Sequence, residues 1–135
     1  MIKKCLARLG VATFLSCLSL SIAVGQAGHP VKGSWIGFYG PDSDQQRMRL
    51  FLDWKDREVV GVINPGRNST PIDSVTIDYD TWTMTIEANL PQANGQAARF
   101  IATGIVDNLG SWTNRRYRGT YTHGDESGEF TFLIN

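Results

Sequence analysis

An antiparallel all-β domain is the fold class this sequence predicts. Short runs of valine, isoleucine, threonine and aromatic residues recur between turn residues, and the clearest of them alternate apolar and polar positions with a period of two. Helical spacing is almost absent after residue 27.

The chain opens with Lys3, Lys4 and Arg8, continues through an apolar run from Leu9 to Val24, and reaches small residues at Ala23, Gly25 and Ala27. This order is that of a secretory signal. Thr13, Ser16, Ser19 and Ser21 interrupt a run shorter than the roughly 20 apolar residues of a membrane-spanning helix. Cleavage is expected after Gly25 or Ala27. Acylation at Cys17 is disfavoured, because Phe14-Leu15-Ser16 is a poor approach to it. Residues 1–27 are therefore read as a signal peptide and 28–135 as one β domain, exported to the periplasm or secreted, with no stable membrane insertion after cleavage.

Both cysteines, Cys5 and Cys17, belong to the signal, so disulfides cannot hold the mature domain together. Of 13 basic and 13 acidic residues, three basic ones leave with the signal, and the mature charge falls near −3. That balance excludes a general nucleic-acid or anionic-membrane binder relying on overall positive charge.

Eight strands are predicted. The first runs from Gly33 to Tyr39 and ends at Pro41-Asp42-Ser43-Asp44, where proline and short polar side chains favour a turn. The second, Arg47 to Lys55, sets Met48, Leu50, Leu52 and Trp54 against Arg47, Arg49, Asp53 and Lys55, with Phe51 as an exception on the polar side. The third, Glu58 to Ile63, ends at Asn64-Pro65-Gly66. The fourth and fifth alternate most regularly: Val75, Ile77 and Tyr79, then Trp82, Met84, Ile86 and Ala88, oppose threonines and carboxylates. One face of this pair belongs in a core and the other in water. The sixth spans about Arg99 to Val106 and the seventh Arg116 to Thr122. The last buries Phe130, Phe132 and Ile134. Sequential short strands point to an eight-stranded antiparallel up-and-down barrel, which removes exposed edges; a two-sheet β-sandwich is the alternative.

Gly33-Ser34-Trp35 at the start of the first strand resembles the opening of calycin-type barrels: lipocalins, avidins and small periplasmic protease inhibitors. The resemblance implies a calycin-like barrel in which Trp35 plugs one end and Arg116 or Arg118 packs across it. A broader resemblance is to small exported bacterial proteins to which no activity is assigned. It is carried by Ile63-Asn64-Pro65-Gly66, Pro71-Ile72-Asp73-Ser74-Val75, Trp82-Thr83, Ile86-Glu87-Ala88 and Gly119-Thr120-Tyr121 before Gly128.

Catalytic equipment is missing from the pattern. Histidine occurs only at His29, in an expected disordered start, and at His123, in an expected hairpin loop, and no cysteine nucleophile remains. Asp42-Ser43-Asp44 lacks the glycine and distal glutamate of a calcium loop. Asp78, Asp80 and Glu87 are close in sequence, but Asp78 and Glu87 fall on the threonine face. No enzyme, metal or cofactor is expected. Trp112, Arg115, Asn64 and Arg67 are the candidate ligand or partner contacts, because arginines beside aromatics and loops at a barrel mouth suit recognition. The expected function is a non-catalytic binding module for a small hydrophobic ligand or a periplasmic protein. The alternative is a protease-inhibitor-like protein acting through Gly28 to Lys32.

Overall fold

The computed structural model describes residues 28–135, so the expected signal peptide lies outside the described residues. The rest is all β. Nine strands follow in chain order: β1 (Gly33–Tyr39), β2 (Gln46–Lys55), β3 (Glu58–Ile63), β4 (Thr70–Pro71), β5 (Ser74–Asp78), β6 (Thr83–Pro91), β7 (Ala97–Asp107), β8 (Arg116–His123) and β9 (Glu126–Ile134). They form one antiparallel sheet in the order β4-β3-β2-β1-β9-β8-β7-β6-β5.

The sheet is not closed into a barrel. The predicted fourth strand is β5, and a further two-residue strand, β4, arises just before it where no strand was predicted; the two serve opposite edges. Thr70 and Pro71 pair with Ile63 and Val62 of β3, and Ser74–Asp78 pairs with β6. Between them the Ile72 amide donates to the Gly61 carbonyl and the Asp73 amide to the Glu87 carbonyl. The chain thus steps from one end of the sheet to the other within two residues. The count of nine exceeds the predicted eight by β4.

Alternation decides which face is inside. Met48, Leu50, Leu52, Met84, Ile86, Ala88, Phe130 and Phe132 are all buried, as their period of two requires. The interior is filled by rings: Trp35 and Tyr117 are fully buried, and Phe100, Tyr121 and Phe132 nearly so. The Tyr117 ring lies 4.7 Å from Phe130, and Tyr121 stacks on Phe100 at 5.8 Å. The Tyr117 hydroxyl is directed at the carbonyls of Met84 and Ala102, at 2.8 and 3.1 Å, tying the core to the backbone of β6 and β7. Burial pushes its pKa far above the ordinary tyrosine value.

Close backbone approach explains the glycines facing one another on β7 and β8. A Cβ on Gly104 or Gly119 would meet backbone atoms of the neighbouring strand, so neither position admits a side chain without movement.

Candidate functional site

β3 pairs with β2 along its whole length but with β4 only at Val62 and Ile63. From Glu58 to Gly61 its other edge therefore has no strand beside it, and β5 likewise has β6 on one side only. In a strand, successive residues turn their N–H and C=O groups to opposite sides. The bond from Ile72 fixes the Gly61 carbonyl toward the open side, and two residues earlier Val59 turns its N–H and C=O the same way.

A cleft of about 440 Å³ occupies this seam. Its walls include buried Val59 with half-buried Val75 and Ile77, and also exposed Val60, Ser74 and Thr76. Residues from both faces of both strands line it, so it is a slit through the sheet wall and not a hollow on one side. The slit is pinned where Ile63 meets Thr70 and runs from there toward Glu58 and Tyr79.

At the end away from β4 side chains replace the missing ladder. His29 stacks on Trp54, from the end of β2, with ring centroids 4.5 Å apart. Its Nε2 is 2.9 Å from the Tyr79 hydroxyl, beyond the end of β5. Tyr79 in turn meets Trp82 edge-on at 5.3 Å. Trp82 takes a left-handed backbone conformation with φ of 56°, which turns the chain into β6. Burial among these rings lowers the His29 pKa, because the charged imidazolium loses water it cannot replace.

The segment carrying His29 is anchored rather than disordered, correcting the expectation for the start of the mature chain. Val31 is fully buried, its carbonyl accepts the Trp35 indole N–H at 2.9 Å, and its amide donates to His29 Nδ1 at 3.2 Å. Arg115 holds the segment from the other side. Its guanidinium donates to the Pro30 carbonyl and, at 2.8 Å, to the Leu109 carbonyl, and it lies 4.7 Å over the Trp112 ring.

The other predicted positions are distributed around the molecule. Trp35 sits inside at the expected end. Arg116 and Arg118, expected to cross it, project outward and share Asp107 at 3.3 and 3.4 Å. The arginine drawn inward at that end is Arg115, which is 3% exposed and follows the loop instead of the strand. Its role is internal, and Trp112 beside it is exposed. Asn64 and Arg67 lie at the opposite end, beyond β3. Asn64 has a φ of 52°, and its side-chain oxygen and amide bond the amide and carbonyl of Arg49, which turns the chain. The four candidate contacts are therefore not brought together.

His123 is buried as the last residue of β8, with Nε2 2.8 Å from the Leu90 carbonyl, and not in the loop where the sequence placed it. The two histidines sit at opposite ends of the sheet and cannot share a site. Glu87 accepts from Ser74 Oγ at 3.0 Å and pairs with Arg99, which also binds Asp73 at 2.6 Å. Among the described residues no group of three or more histidine, cysteine, aspartate or glutamate side chains is placed to hold a metal. No helix there is long and apolar enough to cross a membrane.

Comparison with protein families, with curated proteins and with solved structures gave no match for this chain. The slit and its aromatic rim escaped sequence reasoning because they join residues far apart in the chain. The one available signal was a cluster of aromatic residues at strand ends: Trp54, Tyr79 and Trp82.

Proposed function

We propose that this chain is a non-catalytic exported binding module, periplasmic or secreted, that takes an extended segment of a protein partner in the slit between β3 and β5. One observation carries the reading: two unpaired strand edges face each other across an opening lined by apolar and polar side chains. Such edges offer rows of backbone donors and acceptors, and an added strand satisfies them while side-chain pockets set the preference. The exposed flanks of Trp54, Val60 and Tyr79 supply apolar contact beside those hydrogen bonds.

The same geometry supports reading the fold as a split form of the eight-stranded calycin-like barrel. β5 corresponds to the predicted fourth strand, and with β4 it makes one interrupted run that pairs with β3 only at Thr70 and Pro71. The small-ligand form of the function has less support, since buried rings fill the interior where a lipocalin-like ligand would sit. The inhibitor form would need residues 28–32 to be released, against the burial of Val31 and the bonds from Trp35 and Arg115.

Random peptides displayed against residues 28–135 test the reading. Selected peptides are expected to slow hydrogen exchange at Val59, Gly61 and along β5, and to lose binding in the Val60→Lys, Thr76→Lys double variant. Protection confined to other strands would remove the proposal.

A further inference from the structure

On the far side of the rolled sheet from the slit, the outer face carries a repeated pattern. Strand register aligns Arg49, Ile36, Leu133 and Arg116 in one row across β2, β1, β9 and β8. The next row aligns Arg47, Phe38, Thr131 and Arg118. Each row has an arginine at both ends and apolar or small side chains between. Three strand intervals of about 4.8 Å set the two flanks roughly 14 Å apart.

The centre of this pattern is unusually apolar for an outer face. Phe38 is 50% exposed and Leu133 51%, and half-buried Ile36 lies between them. Together they border a shallow hollow of about 340 Å³. Phe51, also exposed, extends the apolar area along β2. Among the described residues neither Arg47 nor Arg49 has a carboxylate within ion-pair distance, while Arg116 and Arg118 share the single charge of Asp107. Two further carboxylates, Asp42 and Glu129, line the same hollow.

We infer that this face docks on an anionic phospholipid bilayer, with Phe38 and Leu133 entering the interfacial region and the four arginines meeting lipid phosphates on both sides. The negative charge of the whole mature chain does not oppose this, because exposed charges interact over about one Debye length and the arginines are gathered on one wall. Charge complementarity favours a lipid surface over an acidic protein segment. Basic groups stand on both flanks of the apolar strip, as a continuous anionic plane requires, and the exposed Phe38 and Leu133 side chains border only a shallow hollow between them. The contact is peripheral: aromatic and aliphatic side chains enter only the headgroup boundary.

Sedimentation of residues 28–135 with vesicles of phosphatidylcholine, with and without a third phosphatidylglycerol, tests the inference. Binding is expected only to the anionic vesicles, falling as salt rises. An arginine near an anionic surface is worth about a fivefold change in partition, so Arg47→Gln with Arg49→Gln should weaken binding roughly 25-fold. Phe38→Ser with Leu133→Ser should weaken it at least fivefold. The salt titration reads the arginine contribution in the unsubstituted chain, whatever the variants do to folding. Absence of binding to anionic vesicles, salt-independent binding, or full binding by a folded Phe38→Ser, Leu133→Ser variant would each overturn it. So would capture on immobilised polyglutamate that matches vesicle binding and ignores Phe38 and Leu133, which would reassign the face to acidic protein. The slit proposal stands or falls separately, since neither double variant touches β3 or β5.

Discussion

The two sides of this sheet are held by different means. From β6 to β8 the ladder is long: nine residue pairs join β6 to β7 and eight join β7 to β8. At the seam two pairs join β3 to β4, and beyond them His29, Trp54 and Tyr79 bridge the gap with rings. Backbone hydrogen bonds fix a spacing near 4.8 Å, whereas ring contacts tolerate offsets. The difference teaches where such a sheet can part: along the seam first, with the ladder side as the fixed frame.

The largest effect should come from breaking the frame. Trp35→Ala removes a fully buried ring and the bond to the Val31 carbonyl, and should cost about 3–5 kcal/mol, read as a lower urea midpoint. Arg115→Met ranks next. It leaves the Pro30 and Leu109 carbonyls without their charged donor, a loss of roughly 2 kcal/mol. Part of that loss is returned, because the Arg115 Nε is itself buried without a partner.

Side chains at the seam should matter less to stability and more to local opening. Trp54→Ala is expected to cost about 1 kcal/mol, with faster hydrogen exchange at Val59 and Gly61 and no change along β7. Equal acceleration in both regions would erase the contrast between frame and seam.

The smallest effect is that of pH. Burial lowers the His29 pKa from its ordinary 6.5 in the folded chain, so the unfolded chain binds a proton more readily. Stability from this group is whole above about pH 6.5 and declines as pH falls from there to the lowered folded value. A His29→Gln variant should show a flatter thermal midpoint between about pH 7 and 5 than the unsubstituted chain. A profile unchanged by the substitution would remove His29 as its source.

Most of the fold was legible because alternation is a local signal. Met48, Leu50, Leu52, Met84, Ile86 and Ala88 point inward as their spacing required. Trp54 keeps the phase of β2 but stands at its end, where the strand leaves the core, and is 38% exposed. The inward arginine was missed by one position. Arg116 and Arg118 obey the parity of β8 and face out, while Arg115 belongs to a loop, where parity no longer applies. The short β4 and the step from it to β5 were not legible, because Ile72 and Asp73 bond to Gly61 and Glu87, partners that only the assembled sheet supplies.

The two-residue passage through Ile72 and Asp73 has a consequence for behaviour in crowded solution. A flat sheet presents its rims to the surroundings, and identical molecules can add rim to rim without limit. Here the rims look at each other across a narrow gap bridged by the chain itself. Another folded molecule would have to bring its own rim into that gap, so open-ended stacking has no free edge on which to begin.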